Sequence, residues 1–483
     1  MFKREAHKMS AVLKAGALQG IARKTLFVLG VTITFGLGPA HAETLADALA
    51  GAYQNSGLID QNRAVLRAAD EDVATAASAL KPVLEYSASI SQDFGDQRTV
   101  LGKSSIDNAQ ADAALVASLL LYDGGASRLN TEAAKETVLA TRQQLVSIEQ
   151  QVLIRAVSAY MTVYALRDLV ELQENSLRLL QEELRAAEDR FEVGEVTRTD
   201  VAQAESSVAF AQSELATAQG DLLQAVEEYV NVVGRQPGPL APPPNLPQFN
   251  ANVETARAGA LQSHPDILGA QHRVAAAEIN ILRAEATLNP TVSAFGSLGL
   301  NEDLGSSNYS NVGRFGVELR GPIYQGGAIS SGIRRAIAFR DQELGSLYEV
   351  RKQVSQDVGS AYAALAARRA SLVASEERIR AAGIAFRGVR EEASLGARTT
   401  LDVLEAEQDL LDAETARLSD EANLYVAAYA VLQATGRLTA QDLNLGVQIY
   451  DPAAYYNLVK DAPTARSEQG RQLDRVLRSL QKN

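Results

Sequence analysis

Two stretches of this chain carry the residue types that invite chemistry. GEVTRTDVAQAES runs from Gly194 to Ser206, and GARTTLDVLEAEQ from Gly396 to Gln408. Each places a threonine three residues before an aspartate, Thr197 before Asp200 and Thr399 before Asp402. That spacing fits a capping box, in which the hydroxyl and the carboxylate satisfy free backbone N–H groups at a helix start. Capping leaves two residues over. Glu405 lies one helical turn beyond Asp402 on the same face, where two carboxylates attract cations, and Arg398 sits inside the turn, where a guanidinium can pair with a carboxylate. Catalytic chemistry has little to work with. Beyond the N-terminal segment only His264 and His272 remain, and no nucleophile motif or phosphate loop occurs. Both histidines read as satisfied surface or interface residues, and Glu182-Glu183 and Glu227-Glu228 as solvated helix faces. The complete absence of cysteine excludes disulfides, thiolate metal sites and a cysteine nucleophile.

The elements that must position these residues follow from composition and period. The chain has 483 residues, 46% of them hydrophobic but only 5% aromatic and none tryptophan, which is thin for a compact enzyme and suits extended helices. A formal charge of −13 argues against nucleic acid as a partner. At the N-terminus, Lys3, Arg4, Lys8, Lys14, Arg23 and Lys24 precede the apolar run TLFVLGVTITFGL and the small-residue site Ala40-His41-Ala42. This pattern predicts a secretory signal over residues 1–42, cleaved before Glu43. The alternative, an N-terminal anchor, is disfavoured because the run falls short of the ~20 residues a span needs. No later stretch is apolar enough for a transmembrane helix, so any entry into a membrane would be as strands.

Around the first turn the apolar residues keep alternating spacings of three and four. Leu145, Ile148, Val152, Ala156, Ala159, Val163, Leu166 and Val170 lead to Leu177, Leu180, Leu184, Ala187 and Phe191. Val201, Ala204, Val208, Ala211, Leu215, Ala218, Leu222, Ala225, Tyr229 and Val232 follow it. These heptad seams predict two long antiparallel helices joined at Gly194. The first, from about Ser127 to Phe191, would extend roughly 100 Å at ~1.5 Å per residue, so it needs a partner along its whole length.

The helical period lapses in four places, which read as strands. VLEYSASIS and RFGVELR alternate apolar and polar residues, while ADAALVASLLLY and TVSAFGSLGL do so less cleanly. They form two hairpins, with GDQRTVLGKSSID and NEDLGSSNYS expected as loops. Four strands cannot close a barrel, and an open edge in lipid leaves backbone groups unpaired, so a chain that spans must oligomerise. Two soluble hairpins packed on helices are the other reading.

An offset of 202 pairs Tyr122 with Tyr324, Gly124 and Gly125 with Gly326 and Gly327, Tyr160 with Tyr362, Gly194 with Gly396, Asp200 with Asp402 and Gly234 with Gly436. The chain is thus an internal duplication. A first repeat (43–236) and a second (250–446) flank the proline-rich linker 237–249, and a polar tail (447–483) follows that either packs alongside or stays mobile. Each repeat reads helix, β-hairpin, long helix, turn, long helix.

The Tyr-x-Gly-Gly steps LYDGG and IYQGG, the doubled Gly-x-x-Thr-x-x-Asp-Val tip and the closing VVGR and ATGR resemble the TolC family of outer-membrane efflux and type I secretion channels. The resemblance implies a mainly α fold with a β-barrel portion. In it, a homotrimer closes one twelve-stranded barrel in outer-membrane lipid, four strands per chain, above a periplasmic helical tunnel. It implies a passive exit channel with no cofactor, fed by an inner-membrane ABC or RND-type transporter through a periplasmic adaptor. It also implies that Asp402 and Glu405 ring the periplasmic entrance, that Arg398 bonds to Thr199 and Asp200 as a latch, and that Gly124, Gly125, Gly326 and Gly327 mark strand-to-helix transitions. Ala393 stands where the family has a latch tyrosine, and Glu405 replaces an aspartate. A structural coiled-coil protein of the envelope, without a pore, is the alternative; it would have no use for alternating apolar strands.

Overall fold

The computed structural model describes residues 42–100, 102–249 and 252–480, so the expected signal segment lies outside the described residues except for Ala42. The first half of the chain comprises α1 (Leu45–Asn55), α2 (Gly57–Ser78), β1 (Val83–Thr99), β2 (Gly102–Tyr122), α3 (Ala126–Glu192) and α4 (Arg198–Val233). The second comprises α5 (Val253–Ser263), α6 (Pro265–Ala286), β3 (Thr291–Asp303), β4 (Tyr309–Arg320), α7 (Ala328–Ser394) and α8 (Thr400–Ala434). Two short helices, α9 (Pro452–Val459) and α10 (Glu468–Leu480), follow. The leading helix of each repeat is two pieces. Ser56 and His264 cap the second piece with their side chains, and Pro265 supplies a ready-made first helical residue.

The long helices form where their seams predict. α3 and α7 have 67 residues each, and the seam residues Val201, Ala204, Val208, Ala211, Ala218, Ala225, Tyr229 and Val232 of α4 are all buried. Alanine on the seam lets α3 and α4 approach closely, and Arg155 clamps them with two bonds to Glu228 at 2.7 and 3.0 Å. One core is shared by α1, α3, α4, the end of α8 and the residues after it, around Tyr160, Tyr229, Leu49 and Leu438. A second core joins α5, α6, α7 and α8 through Ala260, Ile267, Val358, Leu365 and Val431. α7 is different from α3: Phe339, Tyr348, Val373 and Ile384 stand more than half exposed along it.

The four strands form one antiparallel sheet in the order β1-β2-β3-β4, leaving β1 and β4 as edges. Register pairs Tyr86 with Leu115 and Ala88 with Ala113, then Leu115 with Leu298, and Ala294 with Val317. By the strand period these residues share one apolar face, on which Tyr86, Leu298, Phe315 and Val317 are exposed, while Glu85, Ser89, Asp112, Asn301 and Arg314 line the other. β3 and β4, with 13 and 12 residues, are long enough for the ~9–11 a tilted membrane strand requires.

The structure corrects one expected loop and fills in the tail. GDQRTVLGKSSID is not a loop: β1 and β2 stay paired from Val83↔Ser118 to Thr99↔Gly102. The second hairpin stops at Glu302↔Tyr309, so the first continues beyond it as a two-stranded ribbon. The tail, expected to be packed or mobile, is packed against α2. Tyr455 and Val459 of α9 and Leu473 of α10 bury against Ala74, and the Tyr455 hydroxyl donates to Glu71 at 2.7 Å. Arg63 and Arg142 lie over the rings of Tyr450 and Tyr456.

Strand meets helix at the paired glycines. All four have positive φ, from +57° to +87°, and Gly125 and Gly327 take the N-cap positions of α3 and α7. The Asp123 carboxylate accepts from the N–H groups of Gly125 and Ser127 at 3.0 and 2.7 Å, which replaces the side-chain cap a glycine lacks. A Cβ at Gly124 would also meet Asn289 Cβ at 2.6 Å, whereas Gly326 faces open space. Alanine at either position carries the left-handed cost of about 1–2 kcal/mol, but only Gly124→Ala adds the clash. Thermal midpoints of the detergent-solubilised protein are therefore expected to fall further for Gly124→Ala than for Gly326→Ala, and equal losses would contradict the junction's asymmetry.

Candidate functional site

The two helical tips are built alike, by one device for stopping a helix and one for starting the next. Gly194 and Gly396 end α3 and α7 at φ +82° and +77°. The following residue bonds back to the last turn, Glu195 N–H to the Arg190 carbonyl at 2.8 Å and Ala397 N–H to Glu392 at 2.9 Å. Left-handed glycine with this bond is the usual helix stop, and it turns the chain within a few residues. Restarting relies on the capping boxes. Thr197 donates its hydroxyl and backbone N–H to Asp200 at 2.7 and 2.8 Å, and Asp200 N–H returns a bond to the hydroxyl at 3.3 Å. Thr399 and Asp402 repeat this at 2.8, 2.8 and 3.2 Å.

Capping sets the charge of the tips. Bonds from the Thr197 side chain and backbone hold the Asp200 carboxyl below the usual carboxylate range. Thr399's backbone and side chain do the same to Asp402, helped by Arg398. Depressed carboxyls are charged throughout the physiological range. Their contribution to the helix start is present above the ordinary carboxylate pKa and is lost as pH falls through the depressed one. Glu405 is exposed one turn further along the same face of α8.

Arg398 engages its own hairpin in this chain. Its Nε donates to Glu392 at 2.9 Å, and an Nη lies 4.0 Å from Asp402. The structure therefore brings Arg398 to the second tip's carboxylates, while Asp200 is occupied by Thr197 and Thr199 stands exposed on the first tip. Ala393 is half-buried in the last turn of α7. The histidines serve local structure: His264 accepts from Asp266 N–H at 3.3 Å as the cap of α6, and His272 lies 2.8 Å from Glu136. Burial holds the His264 imidazole below its ordinary value. Among the described residues no cluster of His, Asp and Glu is arranged to hold a metal ion, and no helix is long and apolar enough to cross a membrane.

One tip residue was not singled out from the sequence. Glu407 is buried between α8 and α3, where it accepts from the Ser176 hydroxyl at 3.0 Å. The signal was available, because Leu404, Glu407 and Leu411 keep the three-four spacing and put a carboxylate on the buried stripe.

A sheet with one apolar exposed face, continuous through glycine joints with two doubled helical hairpins, is the geometry that known proteins share with this chain. The family model for outer membrane efflux protein matches residues 49–235 and 256–437. The chain belongs to the outer membrane efflux protein family. It is 39% identical over 429 residues to the outer membrane efflux protein BepC of Brucella suis biovar 1, covering 87% of this chain and 91% of that protein. To the outer membrane protein TolC of Vibrio cholerae it is 25% identical over 84% of this chain and 94% of the relative. Its fold matches the Campylobacter jejuni CmeC outer membrane channel with a TM-score of 0.72, covering 86% and 89% of the two chains at 17% identity. A TolC-type channel of the outer membrane, reaching into the periplasm, is what the family membership and the fold establish; its part is that of a passive exit in efflux or type I secretion.

If the capping boxes start the tip helices, Thr399→Ala removes a cap worth about 1 kcal/mol. Hydrogen exchange at the amides of Thr400 to Val403 should quicken about fivefold, with the middle of α8 unchanged. Unchanged exchange at those amides would show that the tip is held from elsewhere.

Proposed function

We propose that three copies of the chain form one channel, with its barrel in outer-membrane lipid and its tips at a periplasmic entrance ringed by Asp402 and Glu405. The observation that carries this reading is the four-stranded sheet with two unpaired edges and an exposed apolar face. Lipid offers no hydrogen bonds to the free N–H and C=O groups of β1 and β4, each costing several kcal/mol if left unmet. Pairing β4 of one copy with β1 of the next meets both edges, and three copies close a twelve-stranded barrel. The apolar residues along α7, exposed in the single chain, then gain neighbours from an adjacent copy.

At the other end, the same symmetry brings three Asp402 and three Glu405 side chains around one opening. Concentrated carboxylates raise the local cation concentration and give the entrance cation preference. Arg398 is the latch residue in this reading. In the assembled trimer it exchanges part of its intra-hairpin pairing for Thr199 and Asp200 of the neighbouring first tip, which holds the entrance narrow. Ala393 supplies no hydroxyl, so the arginine carries the closure here. A periplasmic adaptor grips the tips, and an inner-membrane transporter of ABC or RND type supplies the energy; the channel itself uses no cofactor and performs no chemistry.

Single-channel recordings in planar bilayers test the entrance. Trivalent cations added on the periplasmic side should block the parent channel, and replacing both Asp402 and Glu405 with alanine should abolish the block and reduce cation selectivity. Arg398→Ser should raise resting conductance in an intact trimer, Asp200→Ala should do much the same, and the double variant should add little to either. Block that survives the double alanine change would reduce these carboxylates to helix starts. Additive or absent effects of Arg398→Ser and Asp200→Ala would remove the latch.

A further inference from the structure

The seam between α8 and α3 just above the tips is mostly apolar. Leu404 of α8 packs among Leu180 and Ala187 of α3 and Val201, Ala204 and Val208 of α4. Into this seam α8 also sends Glu407, only 5% exposed. One of its oxygens accepts from the Ser176 hydroxyl, and the other is buried with no hydrogen-bond partner. One turn earlier on α3, Gln173 is buried too, with its Oε1 unpartnered. A charged carboxylate with one bare oxygen in an apolar seam is costly, and the cost vanishes if the group takes a proton or if the seam opens to water.

We propose that Glu407 makes the α3–α8 seam a pH-dependent hinge for the entrance: protonated, it lets α8 lie tightly on α3; ionised, it drives the two helices apart and loosens the tip. The inference rests on the reading of the tips as the channel entrance and adds a control to it. Near the tips the α7–α8 hairpin meets the first repeat through this α3–α8 seam and through a pair between α7 and α3, so a change in the width of the entrance strains both. Arg390 of α7 reaches instead to Glu183 of α3 at 3.4 Å. The charged groups acting on Glu407 are therefore Glu183 on α3, which repels its negative charge, and Arg390 on α7, which attracts it; α4 faces the seam with apolar residues.

Burial is the dominant influence and pushes the Glu407 carboxyl up to about 7 in the packed seam, against the lowering effect of Ser176. In an opened, wet seam the group returns toward its ordinary value near ~4.3. The packed state thus binds the extra proton. Falling pH favours packing, and the charge penalty is fully present above about 7 and fades as pH drops toward the ordinary range. Over that window the packed-to-loose ratio changes by up to about tenfold per pH unit in each protomer.

The chain has no cysteine, so a single engineered thiol reports on the seam without background. Leu404→Cys places it on the buried face of α8, and Glu195→Cys, in a separate variant, gives an exposed reference at the tip. Maleimide labelling of the full-length protein in detergent is measured from pH 5.5 to 7.5, each rate divided by the reference rate at the same pH to remove thiol ionisation. The ratio should rise at least about tenfold across that range, and Glu407→Gln should hold it flat at its low-pH value. Ser176→Ala, which removes support for the ionised form, should shift the rise to higher pH. The readout needs no pore, so it stands apart from the conductance tests. A flat ratio in the parent, or the same rise in Glu407→Gln, would overturn the proposal. If Glu407→Gln yields no folded protein, an unshifted profile in Ser176→Ala would overturn it equally.

Discussion

Everything in this chain answers to the unpaired edges of a four-stranded sheet. Backbone N–H and C=O groups tolerate exposure to water but not to lipid, and β1 and β4 present a full row of each. A soluble sheet can blunt its edges with charge or proline. A membrane sheet has only closure, and four strands are too few to close alone. The apolar face of the strands and the exposed apolar residues of α7 point the same way, since each leaves surface that a single copy cannot cover.

Closure at the top dictates economy at the bottom. With the sheet fixed by its neighbours, the helices emerge through glycine pairs whose positive φ turns the chain out of the pleat within two residues. The 67 residues of α3 and α7 then carry the tips roughly 100 Å away at ~1.5 Å per residue. At that distance the tips are held only by seams, caps and a few charges. In the proposed channel the residues that start α4 and α8 therefore also set the field at the entrance. Asp402 illustrates the economy: its capping bonds keep it ionised, and the same charge faces whatever approaches the tip.

Much of this was legible because a long helix writes its burial into a simple period. The α4 seam from Val201 to Tyr229 is buried as its spacing requires, apart from half-buried Leu215 and Leu222, and the doubled Gly-x-x-Thr-x-x-Asp marks both turns to within a residue or two. What stayed hidden lacks periodicity for a physical reason. The ribbon beyond Gln92 is held by its backbone ladder and carries no alternating apolar face, so its mostly polar sequence reads as a loop. The tail docks through scattered tyrosines on arginines, Tyr450 on Arg63 and Tyr456 on Arg142, contacts that no short-range pattern announces. Glu407 was masked by its surroundings, because a carboxylate in the acidic run LEAEQDLLDAE looks like one more solvated charge until its place on the stripe is counted. The partner proposed for Arg398 lies in the assembly, and the single chain shows its pairing with Glu392.

The central claim is that sheet edges compel three copies to share one barrel, and the mass of the protein extracted from membranes in mild detergent tests it most directly. Native mass measurement should give three chains per particle, dissociating on heating to single chains that have lost their strand signal. A stable single chain that remains inserted in lipid with its four strands intact would contradict the account.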